Sequence, residues 1–288
     1  MKRLLPPVRI HSWGGLGSQL FAIAMAEDFK AFYPNRFLKI VLHTGGVTRR
    51  LPEVAELFPE FEYEYKEDFQ QKNEFTVEST VISRYFIRDT IKWILSAIGF
   101  LAHCDDDVAT NKLAPWVLSI RGHYSYRTIN SNFLSRLADR CKKVNVPKIA
   151  DLNKTCIVHY RLGDLLEISE KTPITAQSIA SEFLRIKEKI HFENLLVFSD
   201  SPSEARLRFS PLFANEFQVL DSKTSLVIAN AIQAKYFIGT SSKVSFWIAG
   251  LREVVYKSPS SLPLENLDQF IRSSGGNSGL LYPYSTSH

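Results

Sequence analysis

The segment Val158-His159-Tyr160-Arg161-Leu162-Gly163-Asp164 is the most informative stretch of the chain. An imidazole, a guanidinium and a carboxylate follow directly on the apolar run Cys156-Ile157-Val158. Such a run predicts a buried parallel strand, and in open α/β sheets ligands bind just beyond the carboxyl ends of the strands. Arg161 would offer a planar fork of donors to phosphate oxygens, which suits an anionic, phosphorylated ligand. The same residues also fit a surface loop in which Arg161 and Asp164 pair with each other.

Two further constellations sit where a strand meets a helix. Trp13-Gly14-Gly15-Leu16-Gly17-Ser18-Gln19-Leu20-Phe21 is a glycine turn. Glycines let the backbone approach a ligand, and a helix N-terminus presents N–H groups to an anion. The spacing is not Gly-x-Gly-x-x-Gly and lacks the Lys-Ser/Thr of a P-loop. The alternative is a tight turn with Ser18 as N-cap. Gly239-Thr240-Ser241-Ser242-Lys243-Val244-Ser245-Phe246-Trp247 combines hydroxyls with a helix start, a phosphate cradle that needs no metal. It also fits Ser241 or Ser242 as an N-cap with Phe246 and Trp247 in the core. Phe198-Ser199-Asp200-Ser201-Pro202 ends another apolar run, so Ser199 and Asp200 either line the same cleft or simply start a helix.

The elements that must position these residues alternate. Strands are expected at Val8 to Trp13, Phe37 to His43, Trp116 to Ile120, Cys156 to Tyr160, Leu195 to Ser199, Phe217 to Leu220, Tyr236 to Gly239 and Glu253 to Tyr256. Helices are expected at about Ser18 to Phe32, Ile87 to Leu101, Asn132 to Lys143, Thr175 to Ile190, Ser203 to Phe209, Ser225 to Ala234 and Ser242 to Leu251. Leu51 to Phe69 is mixed and acidic and gives no clear element. The alternation predicts an α/β protein with parallel sheets covered by helices, one Rossmann-like sheet per half. The polar stretch around Pro147 divides the chain into residues 1–147 and 148–288. From about Ser273 the chain is Gly/Ser-rich, which predicts a frayed tail.

The chain has 288 residues, enough for two ordinary domains, and a globular composition. Its net charge of +5 favours an anionic partner. No concentrated Lys/Arg face or nucleic-acid motif is evident, which argues against nucleic acid. The three cysteines, Cys104, Cys141 and Cys156, are odd in number and fit no metal spacing, so free thiols in a reducing cytoplasm are expected. Asp105-Asp106-Asp107 reads as a solvated charge run rather than a cation site. The N-terminal residues lack the apolar stretch of a signal peptide, and Trp93 to Ala102 is too short to span a bilayer.

Taken in order, the three constellations resemble glycosyltransferase family 11, the α-1,2-fucosyltransferases. The family opens with Gly-Gly-Leu-Gly-Asn-Gln-Leu/Met-Phe, matched by Gly14 to Phe21. It carries a mid-chain His-x-Arg-Arg-Gly-Asp, matched by His159 to Asp164. It ends with an Asn-Ser-Thr-Phe-Ser-Trp-Trp helix start, matched by Ser241 to Trp247. Gly122-His123-Tyr124-Ser125 stands where the family often has Gly-Tyr-Phe/Trp-Gln. The resemblance spans about Val8 to Tyr256. Departures are Ser18 for Asn, Leu162 for the second Arg, Ser241 for Asn, Lys243 for Thr, Val244 for Phe and Phe246 for Trp.

The resemblance implies a GT-B architecture, two Rossmann-like domains facing each other across a cleft. The C-terminal domain would hold a GDP-sugar and the N-terminal domain an oligosaccharide or lipid-linked glycan acceptor. It implies inverting transfer of L-fucose, or a related deoxyhexose such as colitose, from the GDP-sugar to an acceptor hydroxyl, with an α-1,2 linkage, in O-antigen or capsule assembly. No cofactor and no bound metal are expected. Arg161 would neutralise the leaving diphosphate, helped by Ser241, Ser242, Lys243 and Ser245. His159 would orient the phosphate or sugar, and Gly15, Leu16, Gly17, Ser18 and Gln19 would close over the donor. Asp164 is the nominee for general base, with Glu167 and Asp200 as alternatives. A UDP-sugar enzyme and a non-catalytic nucleotide-sugar-binding protein of the same fold remain open. A cytoplasmic location is expected, with peripheral contact at the inner face of the plasma membrane through basic residues and the Trp93 stretch.

Overall fold

Both halves of the chain build a parallel sheet from apolar runs that end in polar residues. The computed structural model describes residues 5–45, 51–67, 82–103, 113–122, 124, 129–144, 150–166, 172–213, 216–264 and 281–284; the side chains of 82–89, 103 and 164 are outside that description. Residues 1–127 and 128–288 form two compact units.

In the first unit the order is β1 (Val8–Trp13), α1 (Leu16–Phe32), β2 (Leu38–His43), α2 (Val54–Leu57), β3 (Glu62–Lys66), α3 (Ile82–Ala97), β4 (Leu101–His103) and β5 (Ser119–Arg121). The sheet runs β3-β2-β1-β5-β4, and its pairs are parallel. α1 is buried nearly all round, with Leu16, Leu20, Phe21, Ile23, Met25 and Phe29 in the core. Each such side chain contributes roughly 1.5–3 kcal/mol through burial.

The second unit contains α4 (Ser131–Lys143), β6 (Thr155–Tyr160), α5 (Ala176–Lys187), β7 (Asn194–Ser199), α6 (Pro202–Phe213), β8 (Gln218–Leu220), α7 (Thr224–Ala231), β9 (Tyr236–Gly239), α8 (Lys243–Leu251) and β10 (Ser260–Ser261). Its sheet runs β10-β9-β6-β7-β8, again parallel. On one face Val158, Tyr160, Val197, Ile238, Ile179, Phe183 and Phe209 share a core. α4 packs on α7 and α8, with the Phe133 and Trp247 rings 5.8 Å apart, so this helix belongs to the second unit. The sequence break at 147/148 falls after it.

The α/β architecture with parallel sheets is therefore the one expected. Several local expectations are corrected. Glu253 to Tyr256 is not a strand: Arg252–Tyr256 forms a π-helical turn continuing α8. Its anchor is Arg252, fully buried, which donates to the carbonyls of Ala231 at 2.6 Å, Ala234 at 2.7 Å and Pro259 at 2.8 Å. The edge strand comes later, at Ser260–Ser261. The tail does not fray throughout: Leu281 and Tyr284 pair with Ser260 and Pro263, and the Tyr284 hydroxyl donates to Gly239 O at 2.6 Å. β3 and β4 were not anticipated. Cys141 and Cys156 are free and buried, as expected; Cys104 lies outside the described residues.

Candidate functional site

The second sheet reverses its winding beside β6. From β6 the chain moves to β7 and β8 on one side, then returns to β9 and β10 on the other. Such a switch point leaves a crevice at the carboxyl ends of the two central strands. His159 lies there, in register with Gly239 of β9 and Phe198 of β7. Loops 161–163, 200–201 and 240–242 leave the three neighbouring strand ends together.

Hydroxyls at the start of α8 hold the imidazole. His159 Nδ1 lies 2.8 Å from Ser245 Oγ and 3.3 Å from Ser242 Oγ. Ser242 is the N-cap, its Oγ accepting from Ser245 N at 3.1 Å, and Ser245 Oγ accepts from Thr240 N at 3.2 Å. Thr240 ties the strands together: Oγ1 donates to His159 O at 3.0 Å and accepts from Arg161 N at 3.2 Å. Among the described residues His159 Nε2 has no hydrogen-bond partner. Burial lowers the His159 pKa to about 4, reinforced by Arg161 and opposed by Asp200. The ring is therefore neutral near pH 7. It can orient a ligand by a hydrogen bond but does not supply charge. Cation charge at this edge comes from Arg161 and Lys243, both half-buried, and from the positive end of the α8 dipole.

Asp200 braces the turn that follows β6. Its Oδ1 accepts from Leu162 N at 2.8 Å and Gly163 N at 2.9 Å, fixing the turn after β6. A Cβ at 163 would lie 2.4 Å from Asp200 Oδ2, so a larger residue there would displace the carboxylate that braces the turn. Ser199 Oγ accepts from Ser201 N at 3.1 Å, and Ser241 lies half-buried in the turn before α8. The backbone of Asp164 lies in a short 3-10 turn, Gly163–Leu165; its side chain, and all of Glu167, are outside the description. His159, Arg161, Ser199, Asp200, Ser241, Ser242, Lys243 and Ser245 thus gather on one sheet edge.

The glycine-turn candidates belong to the first unit. Gly14 has φ +109°, and a Cβ there would meet Ser18 Oγ at 2.9 Å. Gly15, not Ser18, is the N-cap of α1, and it makes no side-chain capping bond. Leu16 and Gly17 are buried in the first turn. Gln19 is buried with its amide committed to backbone: it donates to Gly14 O at 3.1 Å and Leu51 O at 2.8 Å, and accepts from Val54 N at 3.2 Å. It fixes the shape of the turn.

The sequence reasoning missed two features. One is Thr240. The other is an aromatic stack at the carboxyl ends of β1 and β2, where Trp13 and His43 rings lie 4.5 Å apart and His11 Nδ1 is 2.9 Å from His43 Nε2. Burial, then the charge of Arg121, lowers the His11 pKa to about 3. The signal was histidine or tryptophan at alternate positions of strand ends. Among the described residues no group of three or more His, Cys, Asp and Glu side chains is placed to hold a metal.

No family model matches the chain, and no curated protein matches it. Solved structures do. The S. aureus MnaA-UDP co-structure superposes with a TM-score of 0.52 at 11% identity, covering 97% of this chain and 84% of that one. E. coli heptosyltransferase WaaC with ADP-2-deoxy-2-fluoro heptose gives 0.48 at 11% identity, covering 89% and 88%. POFUT1 in complex with GDP gives 0.41 at 11% identity, covering 89% and 98%. At these identities the likeness is one of architecture, two five-stranded parallel sheets with helices in the GT-B manner.

Proposed function

We propose that the protein is an inverting, metal-independent glycosyltransferase that moves L-fucose, or a related deoxyhexose, from a GDP-sugar to a hydroxyl of an oligosaccharide or lipid-linked glycan. The observation that carries this reading is the β6/β9 edge, where His159 is clamped by Ser242 and Ser245 at the N-terminus of α8. Two of the three motifs of the family-11 resemblance, His159 to Asp164 and Ser241 to Trp247, meet at that edge. The nucleotide diphosphate sits against the start of α8, and Arg161 takes the charge that develops as the diphosphate leaves. Leu162, where the family has a second Arg, is fully buried in the apolar core, so the charge falls to Arg161 and Lys243. His159 offers Nε2 to the donor from a ring held neutral. The acceptor hydroxyl attacks the anomeric carbon as the glycosidic bond to phosphate breaks, and a carboxylate takes its proton. Asp164 is our nominee; Asp200 is committed to two backbone N–H groups. The α-1,2 linkage, the O-antigen or capsule setting and a cytoplasmic location complete the reading.

The test is thermal stabilisation by GDP, GDP-fucose, UDP and UDP-sugars with EDTA present throughout, followed by radiolabelled donor hydrolysis. A shift with GDP and GDP-fucose but not UDP, with hydrolysis in EDTA, is expected. A shift with uracil nucleotides alone, or only when a divalent ion is added, overturns the donor assignment.

A further inference from the structure

The apolar stretch around Trp93 plays no part in the proposed donor site, and its exposure is the reverse of a core helix. Ile91 is 51% exposed, Trp93 71%, Ile94 46%, Leu95 37% and Ile98 48%. Ile98 continues α3, its N–H donating to Ile94 O at 3.0 Å. At the α-helical rotation per residue, positions 87, 91, 94, 95 and 98 share one side of the helix, a sector about 100° wide. Positions 88 and 92, Arg and Lys, lie just past one border of that sector, and position 84, also Arg, falls within its span nearer the N-terminus. Trp93 lies outside it. Trp116, itself 47% exposed, adjoins the helix end, with its indole Nε1 donating to Ile98 O at 2.8 Å.

An exposed apolar face on this scale marks a partner or a membrane. Charge decides between them. The chain carries a net charge of +5, and the face is edged by basic positions. A second copy would bring like charges together, whereas an anionic bilayer supplies complementary charge and an apolar cover at once. The helix is too short to cross a bilayer, and among the described residues no helix is long and apolar enough to do so. We propose that α3 lies flat on an anionic phospholipid surface. Ile91, Ile94, Leu95 and Ile98 enter the acyl boundary, and positions 88 and 92 lie at headgroup level. The inference does not depend on the donor reading, since α3 lies outside that site.

The experiment is co-sedimentation of the full chain with vesicles of phosphatidylglycerol and phosphatidylcholine in equal parts. Vesicles of phosphatidylcholine alone and mixed vesicles at high salt are the comparisons. Binding to mixed vesicles, weakened by about tenfold or more in both comparisons, is expected. The triple variant Ile91→Gln, Ile94→Gln, Ile98→Gln should lose it by about the same factor. All three side chains are exposed, so the variant should keep the wild-type melting temperature and any nucleotide-induced shift. Absence of sedimentation overturns the proposal, as does binding that survives the triple variant. So does a dimer, seen by sedimentation equilibrium, that the triple variant dissolves without any vesicle association.

Discussion

At the scale of single residues, the candidate site divides into groups that meet a ligand and groups that shape the edge. Under the proposed function Arg161 belongs to the first. Its backbone N–H is anchored on Thr240, and the proposed phosphate contact falls to its guanidinium. Arg161→Ala should keep the fold and lower kcat for donor hydrolysis or transfer by about 10²–10³, the usual cost of one charge-stabilising donor. A near wild-type rate would remove Arg161 from the mechanism. Asp200 belongs to the second group. Asp200→Ala leaves the N–H groups of Leu162 and Gly163 without their acceptor, and urea titration should register a loss of about 1–3 kcal/mol. His159 has a signature in pH. Its folded pKa is lowered from 6.5 to about 4. Below pH 6.5 the unfolded chain takes up a proton that the folded imidazole refuses, so stability falls as pH drops towards 4. The slope from this one group is at most about 1.4 kcal/mol per pH unit, and above pH 6.5 it vanishes. Urea midpoints followed from neutral to acidic pH should show a shallower fall in His159→Gln. Equal slopes would mean that His159 titrates alike in both states.

At the scale of elements, legibility followed burial. β6, β7 and β9 are short apolar runs ending in polar residues, and a buried parallel strand has that pattern. β3 reads Glu-Tyr-Glu-Tyr-Lys and is half exposed, so it carries no apolar run to find. β4 has three residues and follows α3 so closely that helical spacing absorbed it. Glu253-Val254-Val255-Tyr256 has strand-like composition, yet Arg252 overrides it by binding carbonyls from α7, the turn after it and Pro259. Local composition cannot report a bond made across 21 residues. The site was legible in the same partial way. Strand ends flagged His159, Ser242 and Asp200, but the contact of His159 with Ser245 spans 86 residues and appears only in the fold. The Arg252 anchor is testable on its own. Arg252→Met removes the donor to several buried carbonyls without opening a large cavity. It should cost roughly 3 kcal/mol or more by urea titration, since each orphaned group costs about 1–3 kcal/mol. A smaller loss would mean that the turn is held by apolar packing instead.

At the scale of the whole molecule, the two units repeat one plan. In each sheet the first strand, β1 or β6, is central, and the chain winds one way before reversing beside it. Each unit therefore has its own switch point, one edged by the glycine turn and the His11-Trp13-His43 stack, the other by the His159 clamp. Topology alone does not say which edge would take the proposed nucleotide; the side chains at each edge favour the second. At the first edge Gln19 is spent on backbone groups and fixes the turn. The second combines a capped helix start, four neighbouring hydroxyls, Arg161 and Lys243. Hydrogen exchange with and without GDP separates the two, because a ligand that binds only the folded state slows opening of the segments it holds. At a concentration of about 100 times Kd the whole fold should gain about 2.7 kcal/mol. Added protection should concentrate in residues 158–164 and 239–246, and EDTA should leave it unchanged. Protection confined to residues 11–20 would move the nucleotide to the first unit, and the phosphate role assigned to Arg161 would fall with it.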